Sequence, residues 1–167
     1  MTGAAGQPSA GLDGLAIGLN RWDWRTPASF AVQVARAEDL GLDHAFLPVN
    51  PLAVPDPYVL MAAGGAATST MKFGPLLETP VLRPPAVAAG SIATLSNAID
   101  GRAMFTYGIG DTAVRFLGRR PSTVAELEMA TSQLRMLLAG DRIDVDASAP
   151  AFLRHPPQHR VPVVWSL

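Results

Sequence analysis

Residues 20–25, Asn20-Arg21-Trp22-Asp23-Trp24-Arg25, crowd two indoles and two guanidinium groups into one short segment. Indoles can stack on a flat ring or line its pocket, and they serve equally well as a lid that buries apolar surface. Further along, Gly108-Ile109-Gly110 lets backbone approach a ligand closely and exposes amide donors, a geometry that suits a phosphate or a ring edge. The same three residues also suit a tight turn. Asn50, in Val49-Asn50-Pro51, can donate and accept hydrogen bonds but cannot titrate near neutral pH, so it can hold a ligand without shuttling a proton. Asn before Pro is also good turn chemistry. Arg119 and Arg120 could take an anion or stand as solvated surface charges. Metal chemistry is not expected. His155 and His159 have a helical ligand spacing, but Pro156 and Pro157 between them preclude the helix. Asp141, Asp144 and Asp146 lack the glycine and terminal glutamate of a calcium loop.

Those residues need elements to bring them together, and the chain supplies an alternating set. Apolar stretches of strand length recur at Leu15–Leu19, His44–Val49, Met71–Leu77 and Arg102–Ile109, with a fifth at Val161–Trp165. Helical patterns lie between the first four. The first opens at Thr26-Pro27, carries Phe30, Val34, Ala37 and Leu40 on one face, and stops at Gly41. The second opens at Asp56-Pro57 and runs to about Thr68; the third opens near Pro85 with Val87, Ile92 and Leu95. The fourth begins with a capping box, Thr123 and Glu126, continues through Leu127, Ala130, Leu134, Leu137 and Leu138, and closes at Gly140. Alternating strands and helices require a mostly parallel α/β sheet with right-handed crossovers. Strand starts about thirty residues apart suit an eight-stranded βα barrel, and an open doubly wound sheet shares the signature. The polar, Pro-rich stretch from Asp141 to His159 interrupts the rhythm as a long insertion or hairpin.

Composition narrows the function classes. A hydrophobic fraction of 49% with 16% charged residues is that of a chain with a core to bury, not of a disordered tail. A net charge of −1 leaves no field for a polyanion, so nucleic acid is not an expected partner. Without cysteine there is no thiolate nucleophile and no disulfide framework. Every long apolar run is broken by Pro, Gly or charge before the ~20 residues of a spanning helix, and the Gly/Ala/Ser-rich start does not read as a signal peptide. The expected protein is therefore cytoplasmic and not embedded in a membrane, with residues 1–12 a disordered extension and 13–167 the folded domain.

The segment from Lys72 to Val87, Lys-Phe-Gly-Pro-Leu-Leu-Glu-Thr-Pro-Val-Leu-Arg-Pro-Pro-Ala-Val, resembles the corresponding segment of the luciferase-like flavin and F420 oxidoreductases. Its usual form there is basic-apolar-Gly-x-Gly-Val-x-Asn-Pro-x-x-Arg-x-Pro-Ala. Ala35–Asp43, Asp56-Pro57, Leu95–Arg102 leading into Gly108–Asp111, and Arg160–Trp165 are similar to further pieces of that family in the same order. The resemblance covers about residues 12–167 and favours the barrel. It implies an oxidoreductase or monooxygenase acting on a small organic molecule with reduced FMN or coenzyme F420, bound across the carboxyl ends of the strands. It further implies a non-prolyl cis peptide at Leu76–Leu77 and a cofactor site formed by Asn50, Leu76, Leu77, Thr79, Gly108, Ile109 and Gly110. No catalytic residue is assigned. Asn50 stands where many members place a His, and Thr106 where they often have another Gly.

The same resemblance places only about five parallel strands and four helices of the barrel in this chain, a truncated TIM-type βα barrel. Strands six to eight would have to come from elsewhere. Open strand edges favour association, either as a homodimer through the Ala/Gly-rich second and third helices or with a separate chain supplying strands 6–8. The small residues of those helices also suit close packing on their own sheet. A second function follows from the missing strands and from Asn50: an inactive remnant that serves as an interaction or oligomerisation subunit.

Overall fold

Strands and crossover helices alternate along the chain in the computed structural model, which describes residues 15–144 and 150–166. The expected disordered extension, residues 1–12, and Asp146 lie outside the described residues. Five strands are parallel: β1 (Gly18–Asn20), β2 (His44–Leu47), β3 (Lys72–Pro75), β4 (Phe105–Gly108) and, near the end, β7 (Val163–Ser166). The last carries that number because a two-residue pair, β5 (Ile143–Asp144) and β6 (Pro150–Ala151), forms an antiparallel hairpin inside the polar excursion. β1 pairs with β2, β2 with β3, and β4 with β7. β3 and β4 meet through the bridges Phe73–Ala103 and Glu78–Tyr107. The spatial order thus follows the chain order without reversal. A doubly wound sheet reverses its order at a switch point, so this is a barrel wall, open between β1 and β7 among the described residues.

The helices form for the reasons their ends announce. Thr26 and Ser29 cap α1 (Pro27–Asp39) reciprocally, and Phe30, Val34 and Ala37 are buried. Leu40, expected on that face, is instead the exposed C-cap, because the helix has already ended. The Asp56 carboxylate caps α2 (Pro57–Ala67) by accepting from the N–H groups of Tyr58 and Val59. In α3 (Pro85–Ala98) Ile92 and Leu95 are buried while Val87, in the first turn, is half exposed. α5 (Val124–Ala139) has the full Thr123–Glu126 box and ends at Gly140 in the left-handed region, φ +83°. A short helix that the sequence pattern did not disclose, α4 (Thr112–Phe116), follows β4 directly.

α2 packs closely on α1 and on the end of α3 because it presents glycine at the contacts. A Cβ on Gly64 would stand 2.5 Å from the Phe30 ring, and one on Gly65 would stand 2.2 Å from Ile99. Among the described residues no helix is long and apolar enough to cross a membrane.

Candidate functional site

Parallel strands deliver their carboxyl ends to one rim, and on this rim the loops after β1, β2, β3 and β4 enclose a cleft of about 340 Å³. Trp22, Val49, Asn50, Leu76, Leu77, Thr79 and the run Ile109–Ala113 line it. Six of the seven residues expected to hold a cofactor therefore converge. Gly108 does not line it: it is buried at the end of β4, where its N–H donates to the Glu78 carbonyl at 2.9 Å.

The floor is made by a bulge. Between the two β3–β4 bridges the β3 side has one residue more than its partner, so the ladder cannot stay in register and the strand bulges. The extra length falls at Leu76–Leu77, whose peptide bond is cis. The Thr106 hydroxyl donates to the Pro75 carbonyl beside it, and Leu76 N–H donates to Leu47 O at 2.7 Å. Leu76 is left 39% exposed, offering the cleft an apolar surface.

Thr79 ties the two flanking loops together. Its hydroxyl donates to the Ile109 carbonyl at 3.2 Å, and its carbonyl accepts from Leu82 and Arg83. Opposite, Gly110 adopts φ +82°, and a Cβ there would lie 2.6 Å from Val114 and 2.9 Å from the Thr79 hydroxyl, so only glycine leaves this side open. Asn50 is 3% exposed; its Oδ1 accepts from Leu52 N–H at 3.3 Å, while its amide nitrogen has no acceptor among the described residues. A donor in that state at the wall of a cleft is available to a bound molecule.

The first loop divides its two indoles. Trp24 is buried edge-on against Phe30, 4.7 Å between centroids, and belongs to the core; Trp22 is 59% exposed and lines the cleft. Arg21 pairs with Asp23 and lies over the Trp24 ring. Arg120 is bound to Glu126 at 2.6 Å, both exposed, and among the described residues Arg119 reaches only the Val81 carbonyl at 3.4 Å. No cluster of metal-ligating side chains occurs among the described residues, and the His159 ring packs on Gly101.

Sequence reasoning passed over a charged group just behind the bulge. Glu78 is wholly buried, its Oε2 3.2 Å from Arg83 Nε, and Arg83 also binds Asp56 at 2.7 Å. Burial pushes the Glu78 carboxyl up, more than the Thr79 N–H and Arg83 pull it down, to about 7. The only signal in the sequence was an acidic residue inside an otherwise apolar strand end. Asp111 and Thr112, which also line the cleft, gave none beyond following the glycine turn.

Residues 5–167 match the sequence family described as luciferase-like monooxygenase. The chain belongs to that family. An F420-dependent glucose-6-phosphate dehydrogenase of Nocardia farcinica is 35% identical over 125 residues, which are 66% of this chain and 37% of that enzyme. Among solved structures, the coenzyme F420-dependent tetrahydromethanopterin reductase of Methanopyrus kandleri superposes with a TM-score of 0.74 at 18% identity, covering 90% of this chain and 49% of the reductase. The oxygenating constituent of a type II Baeyer-Villiger monooxygenase, 3,6-diketocamphane monooxygenase from Pseudomonas putida, solved with FMN, gives 0.69 at 18% identity over 88% and 48%. This luciferase-like chain thus spans about half the length of those solved chains, and the likeness to them is one of fold.

Proposed function

We propose that this chain forms the cofactor-binding wall of a luciferase-like oxidoreductase that uses reduced FMN or coenzyme F420 on a small organic substrate. The observation that carries the reading is the convergence of Asn50, the Leu76–Leu77 bulge, Thr79 and the Ile109-Gly110 turn on one cleft at the strand ends. The names of the relatives agree with either cofactor: two are F420-dependent and a third was solved with FMN.

The residues present fit such a group. Leu76 and Leu77 give an apolar surface for a flat ring, Trp22 adds an indole to the lining, Asn50 offers a donor with no acceptor among the described residues, and Gly110 keeps the turn open enough for backbone to approach. When bound, a reduced flavin or deazaflavin supplies a hydride equivalent, and the protein's part is to orient the ring and exclude water. Asn50 holds without transferring a proton, since an amide does not titrate.

A second reading, an inactive interaction subunit, is favoured by one observation: among the described residues the barrel wall ends in two unpaired strand edges, at β1 and at β7. Titrating the purified chain with FMN and with F420, followed by cofactor fluorescence, separates the two. Saturable binding of either supports the oxidoreductase, and no binding of both supports the interaction subunit.

A further inference from the structure

Glu78 follows the Leu76–Leu77 peptide directly and is fixed at both its backbone and its side chain. Its N–H donates to Thr106 O at 3.0 Å and its carbonyl accepts from Gly108 N–H at 2.9 Å, so β4 holds the main chain. The carboxylate has three donors. Oε1 accepts from Thr79 N–H at 3.2 Å; Oε2 lies 3.2 Å from Arg83 Nε and 3.5 Å from the Tyr58 hydroxyl of α2. Arg83 is itself held from three sides. Its guanidinium binds Asp56 and lies over the Tyr58 ring, 4.4 Å from the centroid, and its carbonyl accepts from the Tyr107 hydroxyl of β4 at 2.9 Å. Removing a carboxylate from water is costly unless its partners compensate, and here the partners come from the loop after β3 and from α2 beside it.

We infer that Glu78 is a positioning residue: its carboxylate, clamped by Arg83 and Tyr58, holds the Thr79 amide and with it the wall made by Leu76, Leu77 and Thr79. Its consequence for binding rests on the cofactor reading of the cleft, whereas the clamp itself does not. Charge-assisted hydrogen bonds are about twice as strong as neutral ones, so the clamp is tight when Glu78 is ionised and slack when it is protonated. The groups that face the carboxylate are Thr79 N–H, Arg83, Asp56, Tyr58 and, through Arg83, Tyr107; burial dominates them and sets the transition about pH 7. Cleft order and cofactor affinity therefore rise as pH rises through neutrality.

The test follows the backbone amide resonances of Thr79 and Gly108 by nitrogen–proton NMR in the whole chain from about pH 5.5 to 8.5, a range that brackets this transition and lies above ordinary carboxylates. Both are expected to titrate together. The movement should disappear in Glu78→Gln and shift to higher pH in Tyr58→Phe, which removes one donor while keeping the carboxylate. For whichever of FMN and F420 the wild-type chain binds, Glu78→Gln at pH 8 should bind about tenfold more weakly, the loss of one charge-assisted contact. Amides that stay still in the wild-type chain, or that titrate unchanged in Glu78→Gln, overturn the clamp, and the wild-type and Tyr58→Phe measurements decide it even if the Gln variant does not fold. Equal affinity in Glu78→Gln overturns its role in binding. Failure of the wild-type chain to bind either cofactor defeats the proposed function alone, because the amide titration still reads the clamp.

Discussion

Asn50 offers the cleft amide hydrogens that have no acceptor among the described residues, and a hydrogen bond from them to a bound molecule contributes about 0.5–1.5 kcal/mol net. A bound cofactor would accept from them. Asn50→Ala should therefore weaken FMN or F420 binding by about 1 kcal/mol, read by fluorescence titration, while the unfolding midpoint in urea changes little. Gly110 works by what it lacks. Gly110→Ala places a methyl against Val114 and the Thr79 hydroxyl at a positive φ, so it should destabilise the chain by about 1–3 kcal/mol and remove cofactor binding. A Gly110→Ala protein that binds as well as wild type would show that the turn is only a turn.

At the scale of elements, the junction of α1 with the α2–β3 connection hangs on one side chain. The Glu38 carboxylate accepts from the N–H groups of Ser69, Thr70 and Met71 and from the Thr70 hydroxyl, at 2.6 to 3.0 Å. Partial burial pushes this carboxyl up, but the Thr70, Ser69 and Met71 N–H groups outweigh it and hold it at about 2. Because the folded value lies below the ordinary one, the contribution to stability is complete above about pH 4.5 and is lost as pH falls towards 2. Glu38→Gln should lower stability at pH 7 by about 1–2 kcal/mol, after allowance for solvent screening, and flatten the acid limb of a pH–stability curve from thermal melts. Glycines in α2 and α3 give a paired expectation. Gly65→Ala drives a methyl into Ile99 and should cost about 1–3 kcal/mol, whereas a Cβ on Gly90 meets nothing within 4 Å. Gly90→Ala should instead stabilise α3 by about 0.5–1 kcal/mol, the ordinary helix preference, and urea denaturation of both variants tests the contrast.

For the molecule as a whole, the two strand edges left unpaired among the described residues dominate. Among the described residues β1 is paired only with β2 and β7 only with β4, and Val164 and Trp165 on β7 are half exposed. A groove of about 520 Å³ between α5 and Trp165 adds further apolar lining from Val124 and Met136. Unpaired edges beside apolar surface recruit other chains. Size-exclusion chromatography with light scattering should give a mass above the 17.5 kDa of one chain. A monodisperse monomer at high micromolar concentration would remove the case for association, whether with a second copy or with a chain supplying the remaining strands.

Local chemistry made much of this legible without coordinates. Thr26, Asp56 and the Thr123–Glu126 box mark helix starts because a cap needs only its own next three residues, and Gly140 marks an end because only its own φ is at stake. The resemblance carried the cleft residues, since Leu76, Leu77, Thr79, Ile109 and Gly110 sit in short contiguous motifs. What tertiary structure alone decided are relations between distant residues. Strand order separated the barrel wall from a doubly wound sheet; packing on Phe30 assigned Trp24 to the core and left Trp22 to the cleft; and only the meeting of the β3 loop, α2 and β4 turned an acidic residue in an apolar run into the buried Glu78 clamp. A sequence fixes what each backbone segment prefers, but burial and charge compensation exist only between segments, once the chain has folded them against one another.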